Sequence, residues 1–92
     1  MTGILVQDDR DVLLVIEVAD SSLLYDRTVK LPLYARAPIP ECWIVDVNAE
    51  TVDVYRSPTG DGYAERRKHS AGESIAPVAL PDLGVSVAAI FA

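Results

Sequence analysis

An α/β domain with a mixed sheet, in which a strand–helix–strand unit is followed by a β-hairpin, is the fold class this sequence predicts. Three observations carry the prediction. The runs Val12-Leu13-Leu14-Val15-Ile16-Glu17-Val18 and Glu41-Cys42-Trp43-Ile44-Val45-Asp46-Val47 are short and largely apolar, and the first is rich in β-branched residues. Such runs read as strands covered on both faces. Between them, residues 23–37 repeat apolar side chains at three-to-four spacing, a helical stripe. After them, residues 51–56 alternate apolar and polar with period two, and Ser57-Pro58-Thr59-Gly60-Asp61-Gly62 is a dense turn signal.

The elements follow in order. Ile4-Leu5-Val6 reads as a short strand or extended arm, and Gln7-Asp8-Asp9-Arg10 as the turn that delivers the buried strand at 12–18. Asp20, Ser21 and Ser22 are each suited to accept hydrogen bonds from the free N–H groups that open a helix. Pro32 interrupts the helical stripe, because an interior proline removes a hydrogen bond and clashes with the preceding turn. The expectation is therefore a loop or short turn over 20–28, with the main helix starting near Lys30, Pro32 in its first turn, and Pro38 and Pro40 ending it. Strand, helix, strand is the pattern of a right-handed crossover, so the strands at 12–18 and 41–47 are expected to be parallel. Residues 51–56 and 63–69 form the hairpin. In the tail, a short extended piece is expected near Ser74-Ile75, then a loop and a terminal helical turn burying Val87, Ile90 and Phe91.

Bulk properties narrow the classes. The 92 residues suffice for one small domain, and 50% hydrophobic with 24% charged residues is ordinary for a globular protein. No apolar run is long enough to span a bilayer, and no basic segment followed by an apolar one opens the chain, so neither a membrane anchor nor a signal peptide is expected. One cysteine, Cys42, excludes an internal disulfide framework and a cysteine-based zinc site, which leaves a reducing cytoplasm as the default compartment. A net charge of −6 argues against a protein that coats nucleic acid through bulk electrostatics, but not against an enzyme acting on it.

Glu17 is the residue that demands an account. A carboxylate in an apolar strand is expensive unless something compensates it. Either its head group reaches solvent or an arginine at the strand's end, or it is a metal ligand at the rim of the sheet.

The joint order of Leu14-Val15-Ile16-Glu17-Val18-Ala19-Asp20-Ser21-Ser22, Tyr25-Asp26-Arg27, Lys30, Tyr34-Ala35-Arg36-Ala37 and Ile39-Pro40-Glu41-Cys42-Trp43-Ile44-Val45-Asp46 resembles the putative restriction endonuclease family, a branch of the PD-(D/E)XK nuclease superfamily. The Val52-Asp53-Val54-Tyr55-Arg56 hairpin and the Pro-Asp-Leu tail resemble that family's C-terminal half, so the resemblance runs over about residues 11–92. It implies a restriction-endonuclease-like core and Mg2+-dependent cleavage of phosphodiester bonds in DNA. Glu17 then falls at the metal-ligand and catalytic position. Ala19 stands where the superfamily's usual Glu-x-Lys places its lysine, so Lys30 on the following helix takes that role. The strand bearing the superfamily's Pro-Asp pair, and the first helix, have no counterpart: Asp8, Asp9 and Asp11 do not sit in that motif. The reading is thus a single domain over 1–92, truncated at its N-terminus, and inactive if nothing replaces the first aspartate. Pro38 and Cys42 replace a usual glycine and tyrosine.

Other residues take plainer readings. Lys30 without the resemblance is a solvated lysine in a helix's first turn. Asp26 pairs with Lys30 if that segment is helical, worth a few tenths of a kcal/mol, and Asp26 and Tyr34 support the site or the structure. Trp43 is core, and Asp46 caps a turn. Arg66, Arg67 and Lys68 are candidate phosphate contacts, set against a solvated hairpin face. His69 has no partner at metal-ligand or general-base spacing. The rival function is a non-catalytic interaction module, homodimeric through an open edge beside the strand at 12–18.

Overall fold

The structure, a computed structural model, describes residues 3–7 and 11–92. Its main sheet has five strands in the order β1-β2-β3-β4-β5: β1 (Gly3–Gln7), β2 (Val12–Ala19), β3 (Glu41–Asp46), β4 (Thr51–Thr59) and β5 (Gly62–His69). β2 and β3 are parallel neighbours, and every other adjacent pair is antiparallel. The mixed sheet, the crossover and the hairpin are therefore as the sequence predicts. Asp8 and Asp9 lie outside the described residues.

The crossover from β2 to β3 is helical from Leu23 onward, not from Lys30. It runs through α1 (Leu23–Tyr25), a wider π-type turn over Asp26–Lys30, and α2 (Leu31–Arg36). Pro32 sits at the start of α2, as expected. The helix continues upstream of it because the turn loosens: the Leu31 N–H bonds back five residues, to the Asp26 carbonyl, and the Thr28 hydroxyl donates to the Leu24 carbonyl at 2.7 Å. A π-type turn is one of the ways a helix absorbs a proline. Ser22 stands at the N-cap but makes no side-chain cap.

Period-two alternation gives the sheet two different faces. On one lie Leu14, Trp43, Val45, Val52 and Val54, packed against Ile75 and Val87 of the tail. On the other lie Val15, Ala19, Cys42, Ile44 and Tyr55, packed against Leu31 of α2. Trp43 is core, as expected. The hairpin closes through Gly60-Asp61 between the paired Thr59 and Gly62, with Gly60 at φ 58°, a value an L side chain resists. The tail forms a second, two-stranded sheet of β6 (Ser74–Ile75) and β7 (Val85–Ser86), then α3 (Val87–Ile90).

Three local expectations change. The edge of β2 anticipated as open is paired with β1, so the outer strands are β1 and β5. Val87 is buried and Phe91 packs against the core, but Ile90 stays 37% exposed because α3 is a single turn with only one face on the sheet. His69 has a partner after all: its Nδ1 lies 3.0 Å from Glu73 Oε1, brought there by the Ser70–Glu73 turn.

Candidate active site beneath the crossover helix

Register builds this site. Glu17 of β2 pairs with Ile44 of β3, which pairs with Asp53 of β4, so the two carboxylates flank one isoleucine on the same sheet face. That face is roofed by the crossover helix. Asp26, Lys30 and Tyr34, each four residues apart, line up along it.

Glu17 does not reach solvent, contrary to the plainer of its two readings: it is 4% exposed. The Tyr34 hydroxyl donates to its Oε2, and Lys30 Nζ lies 3.2 Å from the same oxygen. Lys30 also faces Asp26 Oδ1 at 3.6 Å, too long for a hydrogen bond but an ion pair. Asp26 is fully buried. Its backbone N–H bonds to the Ser22 carbonyl at 2.8 Å, and its Oδ2 accepts from the Ser22 hydroxyl at 3.2 Å. Ser22 thus holds Asp26 rather than capping the helix. Asp26 Oδ1 has no hydrogen-bond partner among the described residues.

The electrostatics follow from burial against charge. Partial burial works against the Lys30 ammonium, yet the hydrogen bond and charge of Glu17, with Asp26 behind it, raise its pKa above the ordinary lysine value. Lys30 is therefore a fixed cation. Burial and then Glu17 push the Tyr34 phenol up, so it remains a neutral donor. Two residues before Ile44 on the same strand and face, the Cys42 thiol is pushed up to about 12 by burial first and by the nearby carboxylates second.

A second charged group sits two strands along. Asp53, 2% exposed, takes Arg27 Nη2 at 2.5 Å and Arg66 Nη2 at 3.3 Å, both on Oδ2. Sequence reasoning passed over both Arg27 and Asp53. The one signal for Asp53 was a charged residue between two valines in an alternating strand, which suggests a solvent face until a helix is known to cover it. Of the three basic candidates on β5, Arg66 shares this face with Tyr55 and Asp53. Lys68 pairs with Asp53 in register, and Arg67 pairs with Val54 and lies on the opposite face.

The oxygen donors suit magnesium, which takes one or two carboxylates from the protein and completes its octahedron with water and phosphate oxygens. Glu17, with Asp26 Oδ1 beside the same ammonium and accepting no hydrogen bond among the described residues, fits that share. No cluster of three or more potential ligands occurs among the described residues.

The family model of Uma2, described as putative restriction endonuclease, matches residues 4–88, from β1 into α3. The chain belongs to the Uma2 family. A search of curated proteins found no significant match. Membership in Uma2 makes this a restriction-endonuclease-like, nuclease-type domain, and the mixed sheet with its few helices agrees with that fold. Among the described residues no helix is long and apolar enough to cross a membrane.

Proposed function

We propose that this Uma2 domain hydrolyses phosphodiester bonds in DNA with magnesium, using Glu17 as metal ligand and Lys30 as the catalytic cation. The observation that carries this reading is the convergence of Lys30 and Tyr34 from the helix onto a buried Glu17 at the end of β2. Evolution has ready apolar replacements for a buried ion pair, and these are often as stable. A strand carboxylate kept with a helix lysine at one oxygen is better accounted for by chemistry than by stability.

Glu17 and Asp26 would hold magnesium, which when bound would supply Lewis-acid stabilisation of phosphoryl oxygens. The chain's own residues do the rest. Lys30, fixed in its protonated form, places a positive charge where negative charge grows in the transition state. Tyr34 orients the Glu17 carboxylate through its hydroxyl, and Ser22 orients that of Asp26. Asp26, whose Oδ1 faces the same Lys30 ammonium, stands as the second carboxylate beside Glu17. A homodimer would form along the outer edge of β1 or β5 and not beside β2, which light scattering on the eluting protein tests.

The decisive measurement is nicking of supercoiled plasmid with and without magnesium. Wild type is expected to nick only with the metal, and Glu17→Gln or Lys30→Gln to lose about 10²–10³-fold in rate. Equal activity in wild type and Glu17→Gln, or none in either, overturns the catalytic reading.

A further inference from the structure

The Asp53 group is more than charge compensation. One arginine gripping both oxygens of a carboxylate would satisfy it, and that bidentate fit is what guanidinium geometry favours. Here two arginines share one oxygen, Oδ2, while Asp53 Oδ1 and Arg27 Nε are left without hydrogen-bond partners among the described residues. The group carries one net positive charge in a chain of net −6. Arg27 Nε is itself buried, but the two side chains as a whole are open to solvent, that of Arg27 being 32% exposed and that of Arg66 50%. Arg66 also lies against the Tyr55 ring, its guanidinium carbon 5.9 Å from the centroid, which holds the plane of its fork steady.

Position decides what such a fork faces. Asp53 is level with Glu17 across Ile44, two strand spacings or roughly 10 Å away. Arg27 comes from the same helical turn as Asp26 and Lys30. A polyanion lying with one phosphate at Glu17 and Lys30 would bring a flanking phosphate over β4 and β5. We propose that Arg27 and Arg66, sprung on the buried Asp53 carboxylate, form an anchor for a backbone phosphate of the nucleic acid flanking the one at Glu17. This rests on the nuclease reading above. Asp53 serves as a placeholder anion: it keeps the two forks together and facing outward until a phosphodiester takes up their free N–H groups.

The test separates anchoring from cleavage. Binding of a fluorescein-labelled 20-base-pair DNA duplex is followed by anisotropy in EDTA, between 50 and 200 mM KCl. Each phosphate contact removed should lower the slope of log affinity against log salt by about 0.9. The affinity lost across that range then shrinks about 3-fold for Arg66→Gln. Arg27→Gln should do the same, Arg66→Lys should largely restore the slope, and Arg36→Gln, an exposed cation at the far end of α2, should leave it unchanged. Arg66 is half exposed, so its replacement is readable in folded protein, as circular dichroism confirms. A wild-type slope in Arg66→Gln, an equal fall in Arg36→Gln, or no duplex binding by wild type overturns the anchor. Plasmid nicking by wild type and Glu17→Gln is read separately, so an anchor that fails beside intact cleavage, or cleavage that fails beside an intact anchor, is recognised as such.

Discussion

Replacing Glu41 tests the account of the buried carboxylates most directly. Glu41 opens β3 at 1% exposure, and three donors converge on it. Trp43 Nε1 at 2.8 Å and Arg56 Nε at 2.9 Å reach Oε2, and the Val78 N–H at 2.8 Å reaches Oε1. Arg56 also donates to the Ala76 carbonyl at 2.8 Å, so one carboxylate ties the tail to the sheet. Removing one partner of a buried ion pair costs about 3–5 kcal/mol. Arg56 is one-third exposed and partly rescued by water, which puts Glu41→Ala near the lower bound, about 3 kcal/mol. A domain of this length has roughly 5–14 kcal/mol in all. Glu41→Gln keeps the size and one acceptor but turns an amide N–H toward a donor, and should cost about 1–2 kcal/mol. Urea unfolding at pH 7, followed by circular dichroism and by Trp43, the sole tryptophan, reads both. With a slope of about 1.5 kcal/mol/M, the Glu41→Ala midpoint should fall by about 2 M. A shift under about 0.3 M would refute the claim that this carboxylate fastens the tail.

Two further outcomes follow from the same electrostatics. With the Cys42 thiol pushed up to about 12, its thiolate is scarce at pH 8, and an aromatic disulfide reagent should label native protein about 10³-fold more slowly than protein in 6 M guanidinium; rates within tenfold of each other would refute the burial argument. The Ser70 N–H, and then His69, hold Glu73 below its usual 4.5, so its contribution is present above pH 4.5 and lost as pH falls through its folded value. The Glu73 carboxyl resonance should therefore titrate below 4.5, and a midpoint at or above 4.5 would mean that the Ser70–Glu73 turn does not form in solution.

How much of this was legible beforehand depends on the range of the interaction. The strands were readable because β-branched runs and period-two alternation are local, and the parallel pairing of β2 and β3 followed from the helical stripe between them. The resemblance singled out Glu17, Asp26, Lys30 and Tyr34, and the packing of the crossover helix on β2 brings these four side chains together. What stayed hidden was non-local. The helix begins seven residues earlier than expected because Pro32 is absorbed by a π-type turn, and no residue-by-residue propensity encodes that adjustment. The edge of β2 is covered because Gly3–Gln7 folds back antiparallel on it. Asp53 looked solvent-facing because alternation tells which residues share a face, not what covers that face.

The four acidic residues buried among the described ones, Glu17, Asp26, Glu41 and Asp53, show where stability ends and function begins. Glu41 lies on the tail-covered face, and each of its oxygens accepts from donors fixed in the fold. Nothing there is left for a ligand to take. Glu17 and Asp53 lie under the crossover helix and Asp26 on its inner side. Two of these three, Asp26 and Asp53, keep an oxygen with no hydrogen-bond partner among the described residues. Their compensating charges, Lys30, Arg27 and Arg66, sit on side chains 28–50% exposed, so each cation is held by a buried anion at one end and open to solvent at the other. A fold selected for stability alone would saturate these oxygens as it does those of Glu41. On the nuclease reading proposed above, a divalent ion would take up free carboxylate oxygen, and a phosphodiester, itself only an acceptor, would take N–H groups of the exposed cations.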